Sequence, residues 1–167
     1  YERDKNLHLP EGGNEQTRRW VNQQITSEMP ARERLSAIMQ MFFQDKFSYT
    51  LQPPLMRTNP IDEFLFTHRR GFCSHYASAL AYMLRLADVP ARLVAGYQGG
   101  ELQNDNILTV RQYDAHAWVE YWLDGRGWTR IDPTAIVAPN RLVDGLFSSI
   151  TENESELIER PFNLSGF

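Results

Sequence analysis

Cys73 is the only cysteine in this chain, and it stands in Gly71-Phe72-Cys73-Ser74-His75-Tyr76-Ala77, a segment that reads as the mouth of a helix. A thiol at that end of a helix meets the positive pole of the backbone dipole, which favours the nucleophilic thiolate. Further along lie Ala115-His116-Ala117-Trp118, at the start of a strand-like run, and Ile131-Asp132-Pro133-Thr134, at the end of the next. A thiol, an imidazole and a carboxylate in that order are the parts of an acyl-transfer site: Cys73 attacks a carbonyl, His116 moves the proton and Asp132 orients His116. The Cys73 backbone N–H is a natural donor to the oxyanion. The sequence leaves the second donor open among Gln52, Asn59 and the tryptophans.

This reading requires His116 and Asp132 to meet across a hairpin. Side chains alternate faces along a strand, and paired residues share a face. If Asp124 faced Gly127 across a two-residue turn, Asp132 would pair with Val119 and land on the face away from His116. If Leu123 faces Gly127 across three residues, Asp132 opposes Trp118 and lies diagonal to His116, about 7–8 Å away at the backbone. The triad therefore predicts a three-residue loop with a glycine bulge, or an equivalent bulge.

The positioning elements read as helices first and strands afterwards, an α+β domain with an antiparallel sheet. Asn14 is the expected cap of a helix to about Thr26, and Pro30 opens a second with Leu35, Ile38, Met39 and Phe42 at helical spacing. The segment 47–51 reads as a short strand, 52–60 as loop, and Asp62 as the cap of a short helical turn. From Cys73, Ala77, Leu80, Ala81 and Leu84 fall on one helical face, and Val89-Pro90 ends the helix. Strands are expected over 92–97, 107–111, 116–123 and 128–132, with 98–106 as a turn-rich loop.

At 167 residues and a net charge of −4, the chain is expected to form one domain. Nothing in its charge pattern points to nucleic acid as a partner. It has no run near the roughly 18 apolar residues of a membrane span, so the segment itself reads as soluble, without membrane contact, and as a piece cut from a larger protein. No pair among His68, Cys73, His75 and His116 has zinc-site spacing, and no loop has calcium-ligand spacing; neither metal nor cofactor is expected. Arg69 and Arg70 either raise the local potential beside the thiol or are simply solvated. Residues 140–167, with acidic Glu152, Glu154 and Glu156, read as a tail.

Four segments carry a family resemblance in order: Gly71 to Leu80; Val89-Pro90-Ala91-Arg92-Leu93-Val94-Ala95-Gly96-Tyr97; Asp114-Ala115-His116-Ala117-Trp118-Val119-Glu120; and Gly127-Trp128-Thr129-Arg130-Ile131-Asp132-Pro133-Thr134. From about residue 62 to 139 they resemble the transglutaminase-like core, in the form carried by bacterial inner-membrane proteins of the TgpA type. The resemblance implies a papain-like arrangement of a catalytic helix on an antiparallel sheet, with the family's Cys, His and Asp on Cys73, His116 and Asp132. It also implies a periplasmic domain tethered between transmembrane helices, with residues 1–61 as a helical lead-in, and a protein or peptide substrate. Transfer from a glutamine carboxamide to an amine or water is the leading expectation. A protease or amidase using the same triad, and a catalytically silent envelope-binding module, are its rivals. Trp118, Tyr97 and His75 are the candidate substrate contacts; packing is the alternative for Trp118 and helix capping for His75. Arg130 shares a face with Asp132 and either pairs with it or faces solvent.

Overall fold

The computed structural model describes residues 2–140 apart from Asp45, Asn104 and Asp105; the expected tail at 140–167, with its acidic cluster, lies outside them but for Asn140. A short helix α1 (Glu2–Lys5) leads into α2 (Glu15–Gln24) and α3 (Ala31–Gln44). These are followed by β1 (Ser48–Tyr49), α4 (Pro60–Asp62) and β2 (Arg70–Gly71). The long helix α5 (Cys73–Leu86) then precedes β3 (Ala91–Tyr97), β4 (Glu101–Gln103), β5 (Ile107–Thr109), β6 (Ala115–Leu123), β7 (Gly127–Ile131) and α6 (Thr134–Val137). The main sheet is antiparallel in the order β3-β6-β7.

Helix α5 is the pillar of the core. The predicted stripe Ala77, Leu80, Ala81 and Leu84 is buried, and so are Tyr76, Ala79 and Met83 off it. Burial on several sides follows from position, because α5 contacts β3 and β6 as well as α2 and α3. The small alanines allow that close approach on more than one face. The helix ends at Leu86, ahead of the predicted Val89-Pro90 stop, in a turn where Asp88 is left-handed (φ 54°).

Two capping expectations are corrected. Asn14 precedes α2 but is left-handed (φ 52°) and makes no side-chain cap; its Oδ1 instead accepts the N–H groups of Ile61 and Asp62. Asp62 closes α4 rather than starting it, and its carboxylate accepts the Gln16 and Thr17 N–H groups at 3.0 and 2.8 Å and the Thr17 hydroxyl at 2.5 Å. Two polar residues of the expected type thus serve each other's helices across 48 residues of chain. Sequence shows that a cap residue is present; only packing decides whose donors it satisfies.

After α4 the backbone widens into a π-helical turn, Glu63–His68, and Arg69 is left-handed. Its carbonyl receives the Ser48 N–H at 2.9 Å, and the Gly71 carbonyl receives that of Thr50 at 2.9 Å. The resulting pairing of β1 with β2 is parallel and sets Tyr49 against Gly71, two residues before the thiol. An aromatic cluster fixes this joint. Phe64 meets Tyr76 edge-on at 4.9 Å, Phe42 and Phe47 pack at 5.2 Å, and the Tyr76 hydroxyl donates to the Ser48 carbonyl at 2.7 Å. Such ring pairs contribute about 0.5–1.5 kcal/mol each beyond the area they bury.

The expected loop at 98–106 contains a strand: β4 pairs with β5 in a separate hairpin that leaves Leu102, Ile107 and Leu108 exposed. Among the described residues, no helix is long and apolar enough to cross a membrane.

Candidate active site

The β6–β7 hairpin has the parity that the triad requires. Leu123 faces Gly127 across the three residues Asp124-Gly125-Arg126, and the register runs through Trp122↔Trp128 to Val119↔Ile131. One step further puts Asp132 opposite Trp118. Gly125 and Gly127 both have positive φ, 80° and 78°, which is why glycine serves at these places.

His116 and Asp132 therefore meet. Nε2 of His116 lies 2.6 Å from Oδ2 of Asp132, with His116 3 % and Asp132 9 % exposed. The second carboxylate oxygen accepts the Thr134 N–H at 3.0 Å, so Asp132 is held from both sides. Before β6, the Asp114 carboxylate accepts the Arg111 N–H at 2.8 Å and the Asp114 carbonyl accepts the Gln98 N–H at 2.9 Å. These bonds fix the bend that delivers His116 to the strand.

Cys73 is the first residue of α5, so its N–H is a donor that the helix itself leaves unused. The thiol is 9 % exposed and lines a cavity of about 350 Å³ shared with Tyr49, Leu51, Phe72, Gly96, Gln112 and His116. Burial pushes the Cys73 thiol up. His116, the Ala117 backbone N–H and the Tyr49 side chain together outweigh it, and the thiol ends below its ordinary value. Burial likewise pushes His116 down, but Asp132 and then Cys73 reverse this, and the imidazole is pushed up to about 8. For Asp132, burial raises the carboxyl and contact with His116 lowers it by more, so it ionises more readily than an ordinary aspartate. Nδ1 of His116 is buried without an aligned hydrogen-bond partner, although His116 and Cys73 shift each other. Cys73 and His116 line the same cavity, and catalytic hydrogen bonds often align only once substrate binds.

The other residues singled out from sequence occupy varied places. His75 accepts the Phe72 N–H on Nδ1 at 3.3 Å and packs edge-on against the Phe72 ring at 4.4 Å, which makes it a helix cap. Tyr97 does not line the cavity; it is 56 % exposed, with its hydroxyl 3.5 Å from the amide oxygen of Gln112, which does. Trp118 does not line the cavity; it stacks on His116 from behind at 6.3 Å and 23°. Neither Gln52 nor Asn59 lines the cavity, and the Asn59 amide oxygen accepts the Asn14 N–H at 2.8 Å. Arg70 is exposed, whereas Arg69 turns back to donate to the Leu65 carbonyl. Among the described residues, no group of three or more His, Cys, Asp or Glu side chains could hold a metal ion.

Tyr49 and Gln112 are the polar cavity residues that sequence reasoning missed. Ser48-Tyr49-Thr50 carries no motif, and only the parallel pairing of β1 with β2 reveals its proximity to the thiol.

Residues 18–133 match the family model of the transglutaminase-like superfamily. The chain belongs to that superfamily. The matched segment begins in α2 and so takes in part of the helical lead-in as well as the transglutaminase-like core. A protein-glutamine gamma-glutamyltransferase of Pseudomonas aeruginosa is 44 % identical over 160 residues, covering 95 % of this chain and 24 % of the relative. The crystal structure of the periplasmic domain of TgpA from Pseudomonas aeruginosa superposes with a TM-score of 0.84 at 46 % identity, over 89 % of this chain and 52 % of that one. YebA of Bacillus subtilis is 29 % identical over 139 residues, covering 78 % of this chain and 19 % of the relative. The chain thus spans about a quarter or less of the length of these curated relatives. Its helices packed on an antiparallel sheet are the papain-like, transglutaminase-like α+β fold.

Proposed function

We propose that this chain is a cysteine-dependent acyltransferase acting on glutamine carboxamides, with Cys73, His116 and Asp132 as its catalytic residues. The observation that carries the reading is the 2.6 Å His116–Asp132 pair, with Cys73 on the wall of the cavity that His116 also lines. Family membership and the named P. aeruginosa relative support the choice of donor.

The Cys73 thiolate attacks the carboxamide carbon, the C–S bond forms, and the carbonyl electrons move to oxygen. The Cys73 N–H at the start of α5 is one donor to that oxyanion, and Tyr49, which lines the cavity, is the candidate for the second. Its collapse breaks the C–N bond as His116 gives its proton to the leaving nitrogen, releasing ammonia and leaving a thioester. An amine then attacks the thioester carbon as His116 takes its proton, the new C–N bond forms, and collapse breaks the C–S bond, releasing the amide product and restoring the Cys73 thiolate beside protonated His116. Tyr97, exposed beside the cavity residue Gln112, is the candidate contact for a substrate chain, while Trp118 stacks on His116 and His75 caps the helix that carries Cys73. The whole of 1–167 is read as one transglutaminase-like domain with its core at about 62–139. Resemblance to the TgpA domain supports a periplasmic location between membrane spans of a longer protein, facing protein or peptide substrates.

Incubation with a glutamine-containing donor peptide and a labelled primary amine, followed by mass spectrometry, tests the reading. Exchange of ammonia for the amine on the glutamine side chain is the expected product. Conversion of glutamine to glutamate alone would make water the acceptor, and backbone cleavage fragments without either change would replace transfer with proteolysis.

A further inference from the structure

One side chain beside the triad belongs to no step above. Arg130 pairs with Glu120 in register, which places it on the sheet face that carries Trp118 and, two residues on, Asp132. Its Nη2 lies 3.6 Å from Oδ2 of Asp132, the same oxygen that engages His116. That nitrogen also donates to the Gln98 amide oxygen. The guanidinium carbon sits 4.3 Å over the Trp118 ring, and Trp118 in turn stacks on His116. The four side chains form a closed circuit: His116 to Asp132, Asp132 to Arg130, Arg130 to Trp118, Trp118 to His116.

Two further details keep the circuit intact. Glu120, the carboxylate directly opposite Arg130, is engaged by Arg92 at 2.6 and 2.8 Å, so it does not draw Arg130 away from Asp132. Gly96 has no side chain, and a Cβ there would come within 2.9 Å of the Trp118 ring. The ring can lie flat behind His116 only because that position is empty. An ion pair whose arginine side chain is 47 % exposed adds little to stability, so a stability role does not account for the arrangement.

We propose that Arg130 is a positioning residue, which pins the Asp132 carboxylate and the Trp118 ring so that the His116 ring is held in plane for proton exchange with Cys73. The proposal rests on the assignment of Asp132 as the group orienting His116, and it goes beyond the triad. Among the described residues, the charged or titratable groups facing this unit are His116 on β6, Arg130 on β7 and, beyond the imidazole, Cys73 on α5 with Tyr49 of β1 beside it; Glu120 is held by Arg92. Arg130 is therefore the fixed cation of the site. Its removal makes loss of a proton from the Cys73–His116 unit less favourable.

The test compares Arg130→Gln and Arg130→Lys with the wild type in two measurements. One is the pH dependence of Cys73 alkylation by iodoacetamide, which needs no acyl donor; the other is kcat and KM for amine transfer. In the glutamine variant the acid limb of alkylation should move to higher pH and kcat should fall about 3- to 10-fold with KM unchanged. Lysine should restore the acid limb, because it keeps the charge. An unmoved acid limb and unaltered kcat in Arg130→Gln, with its melting temperature preserved, would overturn the proposal, as would a change confined to KM. Rapid wild-type alkylation without amine transfer would instead count against the acyl donor, leaving the role of Arg130 readable from the alkylation limb.

Discussion

Replacing Cys73 with alanine should abolish amine transfer, lowering turnover by at least about 10⁴-fold, because the covalent route loses its nucleophile and no other cysteine exists to replace it. The fold should survive. The side chain exchanged is small, and the residues anchoring the start of α5 are Tyr76, His75 and the Phe42–Phe47–Phe64 cluster rather than the thiol. The measurement is turnover of the donor peptide together with a thermal melt. Retained turnover in a folded Cys73→Ala protein would move the chemistry elsewhere, whereas loss of turnover with an unchanged melt is the expected pattern.

The second large effect concerns Asp132→Asn, expected to reduce kcat about 10²- to 10⁴-fold while leaving the thiol in place. Asparagine keeps the shape but neither the charge that raises His116 nor a free choice of tautomer for the ring. With that charge gone and burial still acting, the His116 pKa should fall from about 8. The signs for the wild type are opposite for the two partners. The folded-state pKa of Asp132 is depressed, so its contribution to stability is present above the unfolded value of about 3.9 and lost as pH falls through the folded one. The folded-state pKa of His116 is raised, so its contribution is complete below about 6.5 and lost as pH rises through about 8. The pair thus stabilises the fold most between those limits. NMR titration of the His116 ring in both proteins checks the shift, and an unchanged midpoint in Asp132→Asn would mean that another group orients the imidazole.

Much of the site was legible because hairpin parity is a discrete property. A two-residue turn or a three-residue loop are the choices, and a carboxylate needed beside His116 selects the loop that is found. The helix starting at Cys73 was legible for a related reason: its alanine and leucine spacing admits one periodicity. What sequence did not reveal are contacts made by generic residues. Tyr49 depends on a two-residue parallel pairing with Arg70-Gly71, too short to leave a pattern. Asn14 and Asp62 have the right chemistry for caps, yet their donors belong to one another's helices. The strand β4 was hidden in a glycine- and asparagine-rich segment, where turn residues dominate composition and pairing with β5 overrides them. Trp118 was visible as an aromatic near the site, but whether it faces the cavity or backs the imidazole depends on the empty position at Gly96.

The central claim is that His116 and Asp132 make Cys73 a reactive thiolate at neutral pH. The rate of iodoacetamide labelling of Cys73 in the wild-type protein, measured from pH 5 to 9 against free cysteine, tests it most directly. Labelling should exceed that of the free amino acid at neutral pH and rise with a midpoint below that of an ordinary thiol. Labelling no faster than free cysteine, with an ordinary thiol midpoint, would contradict the claim.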